Sequence, residues 1–269
     1  MIHPTAVIHP RAQLDPSVEI GPMAVIDEHV IVGPRCRIGP FVYLTGHTTF
    51  GADNVIHAGA VLGDAPQDFK YRGEPTRLRF GDRNVIREQA TVHRSNKVES
   101  ETVVGSDNLL MAHCHVGHDV VVGDRVILCN GSAIAGHAVI GDRVFISANA
   151  LVHQFCRVGT LALMQGGSAI SVDLPPYCIA RGGTGIAGLN VVGLRRAGFS
   201  AADRLELKQL YHALFRARTL FRQALEDASS RFHSPAARTM IDFTASTKRG
   251  LCRDLSMRSR AANDTDEMG

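Results

Sequence analysis

A large apolar side chain recurs at every sixth position over most of the first 170 residues. The first uninterrupted run comprises Ile2, Ile8, Leu14, Ile20, Ile26, Val32, Ile38, Leu44, Phe50, Ile56 and Leu62. The period then resumes in the same frame at Phe80, Ile86, Val92, Val104, Leu110, Val116, Val122, Leu128, Ile134, Ile140, Ile146, Val152, Val158, Met164 and Ile170. Because the frame is kept, the two gaps indicate loops inserted into a continuing scaffold.

A period of six excludes an α-helix, because six residues cover about 1.7 helical turns and would scatter the apolar side chains around the helix. An even period suits a strand, in which alternate residues share a face, provided that the chain turns once per repeat. Small or slim residues such as Ala24, Cys36 and Val42 lie four positions after the apolar ones, as a crowded interior requires. The pattern predicts a mainly β solenoid wound as a three-sided prism, with about 18 residues per coil.

Glycine often follows the periodic apolar residue, for example at Gly21, Gly33 and Gly51. A glycine lacks Cβ and so adopts backbone angles that other residues avoid. We therefore expect these glycines to supply the unusual angles at the corners of the prism.

The hexads end near Leu174, and Pro175-Pro176 marks the exit from the solenoid. Helical signals follow. Ser200 and Asp203 are spaced as a capping box, and the patterns of residues 219–232 and 234–246 predict two further helices.

These signals divide the chain into three predicted parts. They are a β-helix over residues 1–188, a C-terminal α-helical domain over 189–252 and a polar, disordered tail over 253–269. The open ends and flat faces of a solenoid leave apolar surface exposed, which predicts an oligomer.

Composition limits the function classes without choosing one. The net charge of +3 gives no indication of a nucleic-acid partner, and none is predicted. No apolar run is long enough to span a membrane and the N-terminus has no signal-like segment, so a cytoplasmic protein is predicted. Cys36, Cys114 and Cys156 occupy small interior positions and are interpreted as core residues rather than disulfide or metal partners.

Candidate chemistry gathers in a histidine cluster. Its members are His93, His113, His115, His118, His137 and His153. Residues one coil apart should stack, and the spacing of 18 relates His118 to Gly136, Asp119 to His137, and Gly136 to Gln154.

A histidine beside a carboxylate has the parts of a general base, and a glycine one coil away can present its N–H to an oxyanion. The cluster holds no evident serine or cysteine nucleophile, so direct attack by a hydroxyl or an amine on a thioester is the simplest chemistry. Two alternatives stay open from the residues alone: a zinc hydratase using several histidines, and a scaffold without chemistry.

Specific motifs accumulate beyond the hexads. They are Gln67-Asp68-Phe69-Lys70-Tyr71, Gly73-Glu74-Pro75-Thr76, Val92-His93-Arg94, Gly117-His118-Asp119, Ala135-Gly136-His137, Val152-His153-Gln154-Phe155 and Gly193-Leu194-Arg195-Arg196. With these motifs the chain, to about residue 251, resembles the acyl-[acyl-carrier-protein]–UDP-N-acetylglucosamine O-acyltransferases of lipid A biosynthesis.

The resemblance implies a left-handed β-helix, a homotrimer and no cofactor or metal. It also implies transfer of an (R)-3-hydroxyacyl group from acyl carrier protein to the glucosamine 3-hydroxyl of UDP-N-acetylglucosamine. His118 matches the general base, Asp119 its orienting carboxylate and Gly136 the donor to the thioester oxygen.

Other positions match the family's substrate-binding residues. They are Asp68, Lys70, His93, His115, His137, His153, Gln154, Gly166, Asn190 and Arg196. Among them, Asn190 and Arg196 match the nucleotide diphosphate end. Gly166 matches the position that limits acyl-chain length, where a glycine favours about 14 carbons over about 10.

The chain also departs from the family pattern at the nucleotide end. Val192 replaces a common glutamate, Ala197 replaces a second basic residue, and the segment 181–188 is short and lacks a histidine. Acylation of a 3-amino sugar nucleotide uses the same base and stays open as an alternative. An acetyl-CoA-dependent acetyltransferase and the later N-acyltransferase of the pathway match the chain less well.

Overall fold

The hexads fold as short parallel strands around a three-sided prism. The computed structural model describes residues 1–217 and 219–256. In a typical two-residue strand such as Ile127–Leu128, the second residue is the periodic apolar one and is buried. Each face of the prism is a parallel sheet whose neighbouring strands come from successive coils, so the predicted repeat is confirmed.

Strands of the three faces follow one another along the chain. The first face consists of Val7–Ile8, Val25–Ile26, Tyr43–Leu44, Val61–Asp64, Thr91–His93, His115–Val116, Ala133–Ile134, Leu151–Val152 and Ala169–Ile170. The second face consists of Gln13–Leu14, Ile31–Val32, His47–Phe50, Arg77–Phe80, Glu101–Val104, Val121–Val122, Val139–Ile140 and Arg157–Val158.

The third face is the longest sheet, and its strands are no longer all parallel at its C-terminal end. Its coil strands are Glu19–Ile20, Arg37–Ile38, Val55–Ile56, Val85–Ile86, Leu109–Leu110, Ile127–Leu128, Phe145–Ile146 and Leu163–Met164. Cys178–Arg181 then adds in parallel, Gly185–Leu189 pairs with it antiparallel, and Arg253–Asp254 completes the sheet.

Two loops leave the prism at the same corner, after the first face. The long loop, residues 65–76, and the short loop, residues 94–100, lie in successive coils. Arg77 consequently pairs with His47, 30 positions earlier, and with Glu101, 24 positions later, whereas regular strands pair 18 positions apart. The coil that follows has no insertion, so its corner lies next to the short loop.

Most glycines that follow the periodic apolar residue allow close approach of two coils and do not supply left-handed backbone angles. A Cβ on Gly33 would lie 2.6 Å from the carbonyl oxygen of Gly51 in the next coil, so Gly33 is needed for close approach of two backbones. The left-handed angles fall two residues later, on Arg35 (φ 56°) and Asp53 (φ 59°). The expectation that the glycines supply these angles was therefore wrong for Gly21, Gly33 and Gly51, whereas Gly63 does have a left-handed φ of 88°.

A left-handed backbone costs about 1–2 kcal/mol for a residue with a Cβ, and the side chains at these corners hydrogen-bond from one coil to the next. Arg35 donates two hydrogen bonds of 2.7 Å to the Asp53 carboxylate one coil away. Inside the prism the Phe50 and Phe80 rings stack at 4.7 Å. Cys36, Cys114 and Cys156 are buried and unpaired, which confirms their predicted place in the core.

Among residues 1–217 and 219–256, four helices follow the solenoid: α1 (Val191–Arg196), α2 (Ala201–Phe215), α3 (Phe221–Arg231) and α4 (Pro235–Ala245). The capping box of Ser200 and Asp203 is present at α2, and Ser234 caps α4. The short helix α1 carries no periodic signal and was not predicted.

Boundaries at the C-terminal end differ from the prediction. Helix α3 begins at Phe221 rather than at 219, and Arg253–Asp254 forms a strand inside the segment predicted to be disordered. The carboxylate of Asp254 accepts hydrogen bonds from Tyr211 and Arg216, which fixes that strand against α2. Residues 257–269 of the predicted tail lie outside the described residues, and the domain division at 188 stays a prediction.

The side chain of Arg157 joins α4 to the prism. Arg157 bonds the buried carboxylate of Asp173 at 2.8–2.9 Å and also donates to the carbonyl of Phe243 in α4. In the part of the chain that the structure describes, no helix is long and apolar enough to cross a bilayer.

Gly33→Ala should destabilise the prism, because the new Cβ meets backbone atoms that cannot move without separating two coils. We expect a loss of roughly 1–3 kcal/mol in the free energy of unfolding, measured by urea denaturation. Gly166→Ala is the matched control, since the nearest atom to its new Cβ is 3.5 Å away. Equal stability of the two variants would contradict the close-approach interpretation.

Candidate active site

The site is built on the corner that follows the strand His115–Val116. Asp119 has the left-handed φ of 58° at this corner, and its N–H donates to Thr102 Oγ1 at 2.7 Å. The turn places the His118 ring and the Asp119 carboxylate side by side. Both side chains are largely buried, with 16% and 4% of their surface exposed.

The His118 ring is oriented by the neighbouring carboxylate. Its Nδ1 lies 2.7 Å from Asp119 Oδ2. Burial opposes ionisation of Asp119, but hydrogen bonds from His118, Ser100 and Asn96 hold the pKa of its carboxyl below the ordinary value. An ionised carboxylate can only accept, so Nδ1 carries the proton and the Nε2 of a neutral ring offers a lone pair.

Two residues of the short loop hold the same carboxylate. The Ser100 hydroxyl donates to Asp119 Oδ1, and the Asn96 backbone N–H donates to Oδ2 at 3.1 Å. Asp119 thus receives hydrogen bonds on both oxygens, and its side chain has one defined orientation.

Gly136 lies directly against the His118 ring, as the spacing of 18 predicted. A Cβ at Gly136 would lie 2.7 Å from both Cε1 and Nε2 of His118, so only glycine leaves room for the imidazole in this position. Within the described residues no acceptor pairs with the Gly136 backbone N–H. A free N–H beside the basic nitrogen is suitably placed to stabilise an oxyanion.

His137 stacks one coil beyond Asp119. Its Nε2 is 3.8 Å from Asp119 Oδ2, and its ring packs on Phe155 at 4.5 Å. Burial, opposed by the Asp119 charge and assisted by that of His118, lowers the pKa of His137, which favours its neutral form.

His93 and His115 form a second pair farther along the first face. Their rings meet edge to face at 5.0 Å, and His115 Nδ1 lies 2.8 Å from Thr91 Oγ1. Burial, with a further contribution from His115, lowers the pKa of His93 to about 4, and burial also lowers the pKa of His115. Both rings are therefore neutral near pH 7.

These side chains share a groove of about 660 Å³ along the first face. It is lined by Gln67, His93, His115, Gly117, His118, Ala133, Ala135, Gly136, Leu151, Val152, His153, Gln154, Ala169, Ile170, Ser171, Gly183 and Thr184. Its floor is mainly apolar away from the histidines, as an acyl chain would require. Ser171 and Thr184 also border a second cavity of about 760 Å³ beside α2 and α3.

The long loop brings Asp68 towards this groove and leaves Lys70 exposed. Asp68 accepts hydrogen bonds from the Lys70 N–H at 2.9 Å and from Asn96 Nδ2 at 2.8 Å. The bond from the Lys70 N–H and, to a lesser extent, the bond from Asn96 hold the pKa of the Asp68 carboxyl below its usual value. Arg94 fastens the loop by donating to the Gly63 carbonyl and to the Tyr71 hydroxyl.

Seven predicted residues are not among those that line the groove of this single chain: Asp68, Lys70, Asp119, His137, Gly166, Asn190 and Arg196. Asn190 caps α1: its oxygen accepts from Gly193 N–H and its Nδ2 donates to the Leu161 carbonyl. Arg196 is exposed in the last turn of α1, and Gly166 is exposed at a corner. Their predicted roles in binding stay predictions.

Metal binding was the main alternative for the histidine cluster. Ligand atoms of His118, Asp119 and His137 lie within 4.8 Å of one another. The short hydrogen bond between His118 and Asp119 would have to break before both side chains could ligate one ion. The geometry therefore fits a proton-transfer pair better than a zinc centre.

Sequence reasoning missed Asn96, Ser100 and Thr102. Each lies in or beside the short loop, where the inserted residues break the spacing of 18 that located Gly136. Only the three-dimensional path of the loop brings them to Asp119.

Comparisons with known proteins agree with this geometry. A family model described as bacterial transferase hexapeptide (six repeats) matches residues 101–136. Another, described as UDP N-acetylglucosamine O-acyltransferase, domain 2, matches residues 173–252.

Similar proteins extend over nearly the whole chain. The acyl-[acyl-carrier-protein]–UDP-N-acetylglucosamine O-acyltransferase of Anaeromyxobacter sp. is 45% identical over 256 residues, covering 94% of this chain and 99% of its own. That of Herminiimonas arsenicoxydans is 41% identical over 260 residues with the same coverage. The structure of the Francisella novicida UDP-N-acetylglucosamine acyltransferase has a TM-score of 0.92 at 34% identity and covers 96% of both chains.

A hexapeptide prism with a histidine–carboxylate pair at one corner and a helical C-terminal part defines a hexapeptide-repeat acyltransferase. The predicted fold, a left-handed parallel β-helix with a C-terminal helical domain, is confirmed. Given the identity and coverage above, the chain belongs to the acyl-[acyl-carrier-protein]–UDP-N-acetylglucosamine O-acyltransferase family.

Gly136→Ala should displace the His118 ring, because the new Cβ overlaps two of its atoms. We expect the acyl-transfer rate to fall by about 10²-fold or more with little change in melting temperature, measured by steady-state kinetics and thermal unfolding. The double variant His118→Ala with Gly136→Ala should be no slower than His118→Ala alone, since the overlap is then relieved. An active Gly136→Ala enzyme would contradict the assignment.

His93 should make stability depend on pH. The unfolded chain binds a proton at His93 near pH 6.5, whereas the folded protein does so only near 4. Between these values the unfolded state holds more protons, so the free energy of unfolding falls with decreasing pH, by on the order of 3 kcal/mol. His93→Gln should flatten this dependence in urea denaturation at pH 7 and 4.5. The exposed His9→Gln should retain it, and an unchanged slope in His93→Gln would refute the prediction.

Proposed function

We propose that this protein transfers an (R)-3-hydroxyacyl group from acyl carrier protein to the 3-hydroxyl of UDP-N-acetylglucosamine, the first step of lipid A synthesis. The observation that carries the proposal is the His118–Asp119 pair, whose Nε2 lies beside the Gly136 backbone at the edge of an apolar groove. The names of the similar proteins support the choice of donor and acceptor.

His118 acts as the general base. As the sugar oxygen attacks the thioester carbonyl, its proton passes to Nε2 and a carbon–oxygen bond forms. The Asp119 carboxylate, held by Asn96 and Ser100, keeps the Nδ1 proton and stabilises the imidazolium. No covalent acyl-enzyme is needed, because the acceptor itself is the nucleophile.

Gly136 and His118 then complete the transfer. The carbonyl oxygen of the tetrahedral intermediate accepts a hydrogen bond from the Gly136 N–H, which stabilises its negative charge. When the carbon–sulfur bond breaks, the imidazolium returns the proton to the departing thiolate. The products are the ester and free carrier protein, and the base is regenerated.

Substrate contacts are assigned on the same basis. The groove-lining His93, His115, His153 and Gln154 contact the substrates, and His137 lies beside them. The Asp68 carboxylate and Lys70 ammonium, in the long loop, hold the polar part of the sugar nucleotide and of the hydroxyacyl chain.

At the nucleotide end, the Arg196 guanidinium binds the diphosphate, since its planar fork suits phosphate oxygens. The side chain of Asn190 contributes there by holding α1 in place. Gly166 leaves the acyl path open and favours the longer of the family's chain lengths.

The quaternary structure and location follow the same proposal. We propose a cytoplasmic homotrimer. Outward positions of the third face are apolar and partly exposed from one coil to the next, at Val55, Val85, Leu109, Ile127, Phe145 and Leu163. Such a face suits association with a second copy.

Mass spectrometry of the product tests the function directly. Purified protein, UDP-N-acetylglucosamine and a mixture of 3-hydroxyacyl carrier proteins of different lengths should yield a 3-O-hydroxyacyl product whose mass reports the chain length. His118→Ala should lower the rate by about 10²- to 10⁴-fold, whereas the distant His9→Ala should not. Absence of product from the unmodified protein, or transfer only to a 3-amino acceptor, would overturn the proposal.

A further inference from the structure

One residue of the short loop holds two carboxylates of the site at once. The Asn96 backbone N–H donates to Asp119 Oδ2 at 3.1 Å, and its side-chain Nδ2 donates to Asp68 Oδ2 at 2.8 Å. Asp119 belongs to the prism, whereas Asp68 belongs to the long loop. Asn96 is therefore a direct link between the base and a loop that emerges two coils away.

The orientation of the Asn96 amide is fixed by its surroundings. An ionised Asp68 can only accept, so the amide must present Nδ2 to it and not Oδ1. The remaining Oδ1 is buried and has no hydrogen-bond partner within the described residues. A buried acceptor without a partner destabilises the folded protein. The orientation is nevertheless kept, because it lets Asn96 donate a hydrogen bond to each of the two carboxylates.

The short loop is held by hydrogen bonds within itself and to its neighbours. The Ser95 hydroxyl donates within the loop to the Ser100 carbonyl at 2.9 Å and accepts from the Arg77 N–H at 3.2 Å. Ser100 in turn donates to the second oxygen of Asp119. The loop is thus closed on itself, attached to the second face and attached to the catalytic carboxylate.

We propose that Asn96 is a positioning residue that couples the long loop to the His118–Asp119 pair, so that the base is held more firmly in its productive orientation while Asp68 is in place. This inference rests on the proposed function, in which Asp68 binds substrate and Asp119 orients the base. Asn96 itself touches neither reacting atom.

The coupling gives the acceptor an influence on the base. A sugar nucleotide that binds Asp68 also fixes the long loop against Asn96, and Asn96 then holds Asp119 against His118. Without this link Asp119 keeps its other donors but loses the restraint that follows from an ordered long loop. The expected defect is therefore larger in kcat/KM for the acceptor than in the affinity for the acyl donor.

Hydrogen exchange tests the link without any substrate. In Asn96→Ala the backbone N–H to Asp119 remains, and only the side-chain tie to Asp68 is lost. The amides of Lys70 and Tyr71 should then exchange roughly tenfold faster or more than in the unmodified protein, because the tie is a hydrogen bond to a charged group. Val98→Ala, in the same loop and exposed, is the matched control and should leave that exchange unchanged.

A reciprocal exchange of side chains distinguishes the tie from a general loss of structure. Asn96→Asp should speed exchange of the long loop further, since two carboxylates then face each other. Combining Asn96→Asp with Asp68→Asn restores an amide opposite a carboxylate and should recover the protection. Failure of this recovery, or exchange in Asn96→Ala equal to that in Val98→Ala, would overturn the proposed tie.

A double-mutant cycle then tests the coupling to catalysis. Asn96→Ala should lower kcat/KM for the acceptor by about tenfold, and adding Asp68→Ala should make it no worse than Asp68→Ala alone. Losses that multiply would show that Asn96 does not act through Asp68 and would refute the coupling. If the unmodified protein transferred no acyl group, the proposed function would be wrong. The hydrogen-exchange measurements would still show whether the Asn96 side chain holds the long loop through Asp68.

Discussion

The close stacking of successive coils is the constraint on which the rest of the structure depends. In coils without an insertion, backbone hydrogen bonds join each strand to the strand 18 positions later, as in the series Leu109, Ile127 and Phe145. The backbones approach so closely at the corners that a Cβ on Gly33 would overlap the next coil. Glycine is thus required by the distance between coils, and residues with long side chains take the left-handed angle beside it.

The same stacking assembles the chemistry. Asp119, His137 and Phe155 occupy equivalent corners of three successive coils, with φ of 58°, 61° and 64°. A carboxylate, an imidazole and a phenyl ring are therefore brought into one column by the repeat alone. The regular coils do not supply the additional donors to Asp119, and the short loop provides them through Asn96 and Ser100. The site combines a periodic frame with two aperiodic loops.

This division explains how much the sequence could predict. The period of six was sufficient for the strands, and the spacing of 18 placed Gly136 against His118. It could not place Asn96 or Ser100, because inserted residues have no fixed spacing relative to the coils. The strand Arg253–Asp254 was missed for a related reason: a two-residue strand is defined by its partner, which lies far away in the sequence.

The antiparallel turn at the end of the third face has a consequence for assembly. A solenoid built only of parallel coils would end in an unpaired strand edge able to accept another molecule, and repeated addition would produce a filament. Gly185–Leu189 runs against the direction of the coils and is itself covered by Arg253–Asp254. The C-terminal end of that face therefore no longer matches the N-terminal end of another copy. This C-terminal end blocks head-to-tail addition of further copies along this sheet. At the N-terminal end, no described residues cover the first coil in a similar way.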